Sequence, residues 1–97
     1  ISKEMCKIDW SDSMENIHNK VRALSPFPGA STILMGKRLK IFQTILINQK
    51  STFPPGHISL LEKNKMAISC FDGQLELMEV HLDGKRKMDM ADCLRGF

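Results

Sequence analysis

The chain has 97 residues, a net charge of +3 and a composition of 42% hydrophobic and 26% charged residues, which is typical of one compact globular domain. Its longest apolar runs, such as Ile45-Leu46-Ile47, are far shorter than the roughly 20 residues of a membrane span, and charged residues interrupt the N-terminus where a signal peptide would be apolar. These features exclude a multidomain enzyme and predict neither a membrane protein nor a secreted precursor, but they identify no function.

The first third of the chain predicts an entry segment, a helix and a bend. Residues 1–9 lack a sustained apolar period, so we assign them to a linker. Apolar residues then recur at spacings of three and four, which predicts a helix over about 13–24, and Asp12 and Glu15 have the spacing of a capping box. The helix must end at Pro26, and the Pro-rich segment 25–29 must form an irregular bend because each proline removes a backbone donor.

After this bend the apolar period changes to two, which predicts strands. Residues 32–35 and 38–47 flank Gly36-Lys37, a pair suited to a type II′ hairpin turn. A second Pro-rich stretch precedes a strand at 58–61, and Asn64-Lys65 turns into a strand at 66–71.

The C-terminal third carries the strongest hairpin signal, Asp72-Gly73, followed by a strand at 74–82. Within that strand the apolar positions shift parity between residues 77 and 80, which indicates a β-bulge. Asp83-Gly84 turns again into residues 85–87, and Asp89 is placed to cap a short helix at 90–95. The predicted fold is mainly β: a small OB-like, partly open Greek-key antiparallel barrel with an N-terminal helix and a short C-terminal helix.

Cysteine and histidine usage favours neither a disulfide framework nor a metal site. The three cysteines are odd in number and show no C-x-x-C spacing, which indicates a reducing compartment. His18, His57 and His81 have no second His or Cys at i+2 to i+4, so we expect no bound metal. The favoured interpretation is packed thiols and surface imidazoles.

Positive charge is concentrated in the middle of the chain. No Asp or Glu occurs from Asn16 to Leu61, a stretch that holds six Lys or Arg residues. Such a segment attracts polyanions such as nucleic acid or an anionic membrane face. An ordinary solvated edge would have the same composition, so charge alone leaves the question open.

Several short motifs, in order along nearly the whole chain, resemble the C-terminal domain of the methionyl-tRNA formyltransferase family. Single motifs are weak, and their ordered succession is more specific. Phe27 stands where that family often has Trp. The motifs are Ile8-Asp9-Trp10, Val21-Arg22-Ala23-Leu24, Pro26-x-Pro28-Gly29-Ala30, Gly36-Lys37-x-Leu39-Lys40-Ile41, Pro55-Gly56-x-Ile58, Asp72-Gly73 and Gly84-Lys85-x-Lys87-Met88.

The resemblance implies a fragment of a cytoplasmic enzyme that formylates Met on initiator tRNA. Residues 1–9 would be the remnant of an interdomain linker and residues 10–97 the OB-like domain. The catalytic residues and the 10-formyltetrahydrofolate site would belong to an N-terminal domain, so this chain would hold no catalytic residue and no cofactor and be inactive alone. The expected partners are that domain and initiator Met-tRNA, contacted through its phosphate backbone, and we expect a monomer.

The candidate tRNA-binding residues are basic side chains on two turns and on the first helix, because Lys and Arg on tight turns approach phosphates closely. The opposing interpretation is that the two turns point in different directions as ordinary surface charge. For Trp10 and the phenylalanines 27, 42, 53 and 71 we favour core packing over a domain anchor and base stacking. The candidate set is Lys37, Arg38, Lys40, Lys85, Arg86, Lys87, Lys20, Arg22 and Lys3.

Two other functions are compatible with these residues. The same domain type resembles the C-terminal part of sugar-nucleotide and formyltetrahydrofolate-processing formyltransferases, where it would complete a small-molecule site. A stand-alone OB-type nucleic-acid-binding protein is the third possibility, which a start without Met disfavours.

Overall fold

A computed structural model of the chain describes residues 6–34, 36–47, 53–62 and 64–95. Neither helix named below is long and apolar enough to cross a membrane, a finding that covers these residues only. In chain order the elements are α1 (Met14–Leu24), β1 (Ala30–Leu34), β2 (Lys37–Ile47), β3 (Ile58–Leu61), β4 (Lys65–Ser69), β5 (Gln74–Leu82), β6 (Lys87–Asp89) and α2 (Met90–Arg95).

The strands form one antiparallel sheet in the order β1-β2-β5-β4-β3, with β6 paired to β5 outside this path. The strands β3, β4 and β5 follow one another as a meander. The long connection after β2 leads to β3 at the far edge of the sheet, so that β5, the last strand of the meander, lies beside β2. This is Greek-key connectivity. The sheet is open, and the predicted mainly β fold with one helix at each end is confirmed.

The sheet bends where the sequence predicted a bulge. Pairing between β2 and β5 shifts register between Ile41 and Thr44. On β5 the buried positions change from Leu75 and Leu77 to Val80 and Leu82. The change keeps apolar side chains on one face while the strand twists, which is the structural effect of a bulge.

A core of apolar side chains lies between this face and the two helices. Leu39 and Ile41 of β2 are fully buried, as is Val21 of α1. Burying one such side chain stabilises the fold by about 1.5–3 kcal/mol. The helix α2 contributes Met90 and Cys93 to the same core.

The N-terminus of α1 is capped differently from the prediction. The N-cap is Ser13, whose hydroxyl accepts a hydrogen bond from the Asn16 amide at 3.1 Å, so the predicted Asp12–Glu15 capping box is wrong by one position. A carboxylate oxygen of Asp72 also accepts from the Met14 amide at 2.8 Å. The cap therefore ties the helix to the β4–β5 turn, a contact that local spacing cannot predict.

Several strand boundaries also differ from the prediction, and β1 begins at Ala30 rather than at residue 32. Leu34 pairs with Lys37, so Lys37 belongs to β2 and the predicted Gly36-Lys37 turn is wrong by one residue. Residue 35, the predicted end of the first strand, lies outside the described residues. Gly36 has a φ of +81°, a conformation that favours glycine. The strand predicted at 66–71 ends at Ser69 because the chain turns before Asp72-Gly73.

The segment before α1 packs against β1. Cys6 and Ile8 are buried, and the Ile8 amide donates to the Ser31 carbonyl at 2.8 Å. Trp10 is partly buried against the core, and its Nε1 donates to the Thr32 hydroxyl at 3.0 Å. Part of the predicted linker thus belongs to the folded domain, while a connection through residues 1–9 to another domain stays a prediction.

Cys70 provides a test of this core. Cys70 is 4% exposed. Burial raises the pKa of its thiol to about 12, and the negative charge of Asp72 adds to this effect. Because the folded pKa lies above the unfolded value of about 8.5, the stabilising contribution of the neutral thiol is complete below the unfolded value. It is lost as the pH rises toward 12.

We therefore expect iodoacetamide at about pH 8.5, the ordinary pKa of a thiol, to leave Cys70 unmodified in the folded protein. The same treatment in concentrated guanidinium chloride should modify it fully. Peptide mapping by mass spectrometry measures both. Rapid alkylation of Cys70 without denaturant would show that this part of the core is not closed.

Candidate nucleic-acid interface

The pairing of three strands brings one residue from each predicted basic turn into a single row. Lys40 of β2 lies opposite His81 of β5, and His81 lies opposite Lys87 of β6. Directly paired residues share one face of a sheet, and neighbouring strands are about 4.8 Å apart. Lys40 and Lys87 are therefore two strand spacings apart, about 10 Å, on the face opposite the core.

The row continues in the other direction across β1. Ser31 pairs with Lys40, and Lys7 forms a bridge with Ser31. We call Lys7, Ser31, Lys40, His81 and Lys87 the basic row. Lys7 was missed in the candidate set because residues 1–9 were assigned to a linker. The alternation of Cys6, Lys7 and Ile8, with only the middle residue exposed, is the signal that could have found it.

Arg38 and Lys20 lie beside the basic row. Arg38 is two residues from Lys40 on the same strand and so faces the same side. Its carbonyl accepts from the Asp83 amide at 2.8 Å, which joins the start of β2 to the second basic turn. The Lys20 ammonium donates to the Lys7 carbonyl at 2.7 Å, so this candidate is held at the Lys7 end of the row.

An aromatic ring lies under the row between β2 and β6. The Lys87 ammonium is 4.7 Å from the centroid of the Phe42 ring, within the range of a cation–π contact. Gly29 of the Pro-rich bend covers the same ring. A Cβ on Gly29 would lie 3.2 Å from Phe42 Cε1 and 3.4 Å from Lys40 Cδ, and its φ of +88° also favours glycine.

One end of the row is partly neutralised by acid. Glu79 forms an ion pair with Lys87 at 3.3 Å, and Asp89 lies opposite Glu79 on β6. Among the residues that the structure describes, no carboxylate lies within ion-pair distance of Arg38, Lys40 or Lys7. Unneutralised positive charge is therefore concentrated at the β1–β2 end.

Several candidate residues lie elsewhere. Lys37 alternates with Arg38 and so projects to the other side of β2. Burial raises the pKa of Cys93, and the nearby charge of Lys85 opposes that rise, which places Lys85 toward α2. Arg86 and Arg22 are exposed, but Arg22 is two positions from Lys20 and faces another side of α1. Lys3 lies outside the described residues.

A cavity of about 410 Å³ opens at the β1–β2 end of the basic row. It is lined by Ser31 and Lys40 of the basic row, by Cys6 and Lys7, and by the bend at 27–29. Arg38 lines it as well. Within the described residues, no group of three or more His, Cys, Asp or Glu side chains is placed to hold a metal ion.

The prediction that Phe27, Phe42, Phe53 and Phe71 pack in the core is wrong, since none of them belongs to the core cluster. Phe27, Phe53 and Phe71 are exposed, and Phe53 stacks on His57 with the ring centroids 3.9 Å apart. Phe42 is partly buried under Lys87. The sequence pattern failed because Pro-rich bends and turns hold apolar side chains outside the sheet's two-residue alternation.

Comparison with known proteins identifies the domain. The model of the formyl transferase C-terminal domain family matches residues 1–97. The chain belongs to this family. This formyl transferase C-terminal domain is 43% identical over 97 residues to methionyl-tRNA formyltransferase of Lactobacillus johnsonii, covering 99% of the chain and 31% of that protein. It is 40% identical over 102 residues to the Parabacteroides distasonis enzyme of the same name, covering all of the chain and 32% of that protein.

The fold also occurs in a larger solved structure. HypX from Aquifex aeolicus, crystallised with tetrahydrofolic acid, matches with a TM-score of 0.81 and 24% identity over 97% of this chain and 17% of that one. This likeness establishes the fold alone. The formyl transferase domain described here spans about a third of the length of the curated relatives it matches.

The contact between Gly29 and Phe42 generates a prediction about the row. Alanine at a positive φ costs about 1–2 kcal/mol wherever it occurs, so Gly84→Ala, at a φ of +84° with nothing within 4 Å of its Cβ, should lose about that much. Gly29→Ala should lose an additional 1 kcal/mol or more because the new methyl displaces the Phe42 ring, as overpacking does. Urea denaturation measures the difference, and the NMR signals of the Phe42 ring should move only in Gly29→Ala. Equal losses would contradict the contact.

Proposed function

We propose that this chain is the C-terminal domain of a methionyl-tRNA formyltransferase and that its basic row binds the phosphate backbone of initiator Met-tRNA. The similarity to two enzymes of that name supports the first part. The observation that carries the second is the register of β1, β2 and β5, which places Lys40 in line with Lys7 and His81. Lys40 forms no ion pair with a described carboxylate.

The chemistry of the row suits phosphates better than bases. Each lysine offers a compact charge that releases counterions on meeting a phosphate, and Arg38 adds a planar fork with several donors. The stem of Lys40 packs beside Gly29 and the residue as a whole is half-buried, as is common for a lysine whose stem lies against apolar surface. Such contacts position a folded polyanion without reading its sequence.

The domain's part in the reaction is to hold substrate rather than to transform it. In this proposal, an N-terminal domain supplies the catalytic residues and binds 10-formyltetrahydrofolate, and the enzyme is a cytoplasmic monomer. Phosphate contacts on a tethered domain raise the effective concentration of the acceptor end at the catalytic site. This chain alone therefore has no formyltransferase activity.

The two alternatives have less support. The curated relatives named above are methionyl-tRNA formyltransferases, which favours tRNA over a sugar nucleotide. Membership of the formyl transferase family disfavours a stand-alone nucleic-acid-binding protein. A sugar nucleotide would bring two phosphates to the domain, and its binding would depend on salt much less steeply than that of tRNA.

The double variant Arg38→Gln/Lys40→Gln tests the phosphate role. Each lost phosphate contact should reduce the slope of log K against log salt by about one unit, so this variant should lose about two. In the full-length enzyme the KM for Met-tRNA should rise about tenfold or more at low salt while kcat changes little, because these contacts are equal in the ground and transition states.

Lys65→Gln is the matched control, since Lys65 is exposed at the start of β4, away from the row. Its salt slope and KM should equal those of the wild type. An unchanged slope in the double variant would overturn tRNA binding by this face. Salt-insensitive binding of a UDP-sugar, lost in the same variant, would favour the sugar-nucleotide alternative.

Breaking the ion pair between Glu79 and Lys87 should strengthen tRNA binding rather than weaken it. Glu79→Gln frees Lys87 and removes a negative charge from the row, so tRNA affinity at low salt should increase about two- to fivefold, as for a pair worth under about 1 kcal/mol. Glu62→Gln, which removes the same charge beyond β3, should change it less. Filter binding at two salt concentrations measures both. An effect of Glu79→Gln no larger than that of Glu62→Gln would show that the Lys87 end of the row does not face tRNA.

A further inference from the structure

The cavity beside the basic row combines exposed apolar groups with cations. Phe27 is 85% exposed and Ile33 is 60% exposed, and both line the cavity together with Lys7, Arg38 and Lys40. A single exposed apolar side chain is common on protein surfaces. Two at one opening, with three cations and no carboxylate among the described lining residues, indicate a ligand that is both flat and anionic.

The bend that carries Phe27 is held in place while its ring is left free. Prolines on both sides restrict its backbone. The Gly29 amide donates to the Leu24 carbonyl at 2.9 Å, and Gly29 packs on Phe42 and the stem of Lys40. The ring is therefore presented by an anchored loop, which reduces the entropy lost when a ligand stacks on it.

We propose that this cavity binds one unpaired nucleotide of the RNA, with the base stacked on Phe27 and the adjoining phosphate held by Arg38 and Lys40. The proposal rests on the proposed function in taking RNA as the ligand, and it adds a site for an unstacked base to a face that otherwise contacts only the backbone. A volume of about 410 Å³ lies in the range of small-ligand pockets. Stacking tolerates any base, since every base has a π-face.

A base inside a duplex cannot stack on Phe27. Bases inside a duplex already stack on their neighbours, so only an end, a bulge or a loop can present a free ring face. Phosphates are available in both forms. Single-stranded RNA should therefore use Phe27 together with the cations, whereas duplex RNA should use the cations alone.

Phe27→Ala and Phe27→Trp test the stacking contact in the full 97-residue chain, with a labelled oligoadenylate hexamer and an RNA duplex as probes in fluorescence anisotropy. Stacking of one base on an aromatic ring corresponds to a roughly 5- to 100-fold effect on affinity. Phe27→Ala should weaken hexamer binding by about that factor and leave duplex binding unchanged. Phe27→Trp should retain or strengthen hexamer binding, because an indole has a larger ring face.

Phe71→Ala is the matched control, since Phe71 is 68% exposed on the β4–β5 turn and does not line the cavity. It should bind both probes as the wild type does. Unchanged hexamer binding in Phe27→Ala, or equal losses for hexamer and duplex, would overturn the nucleotide site. Such a result, combined with a reduced salt slope in Arg38→Gln/Lys40→Gln, would leave the proposed function standing. If neither variant affected RNA binding, both proposals would fail.

Discussion

The pairing of β2 with β5 is the constraint on which both the core and the basic face depend. The same register that places Lys40 beside His81 on the outer face places Leu39 beside Leu82 on the inner one. A slip by one residue would exchange the two faces, exposing Leu39 and burying Lys40. The hydrophobic effect acting on one side of β2 therefore holds the charges on the other side in position. The cations repel one another, and burial of apolar neighbours such as Leu39 and Leu82 on the inner face outweighs that repulsion.

The positions of the carboxylates make the two ends of the basic row electrostatically different. Glu79 and Asp89 lie near Lys87 at the β6 end, whereas no described carboxylate forms an ion pair with Lys7, Arg38 or Lys40 at the β1 end. Exposed ion pairs contribute little to stability, so the pair of Glu79 with Lys87 matters mainly through the charge it removes. A polyanion approaching the domain would be attracted most strongly to the end where Lys7, Arg38 and Lys40 surround the cavity.

Periodicity predicted the elements whose pattern is local and missed what depends on long-range packing. The strand at Gln74–Leu82 and the helix at Met90–Arg95 were predicted with their observed bounds, because alternation, turn residues and capping are all nearby in sequence. Lys37 was grouped with Lys40 although strand alternation separates their faces, and Lys7 was overlooked because its strand-like partner, Ser31, is distant in sequence. The two basic turns lie side by side because β5 pairs with β2, and local sequence does not encode that long-range pairing.

The proposed phosphate contacts and the proposed base stacking would act differently on a bound RNA. Phosphate contacts bind the ground and transition states equally, so they lower KM without accelerating the chemical step. They also permit the RNA to slide, because every phosphate resembles the next. An unpaired base held on Phe27 would remove that freedom, since only a few positions in a folded RNA offer a free ring face. The basic row would supply affinity, and the cavity would fix the register in which a distant catalytic domain meets the end of the RNA. The anchored bend at 25–29, held by Leu24 at one side and Phe42 at the other, gives that register a rigid support.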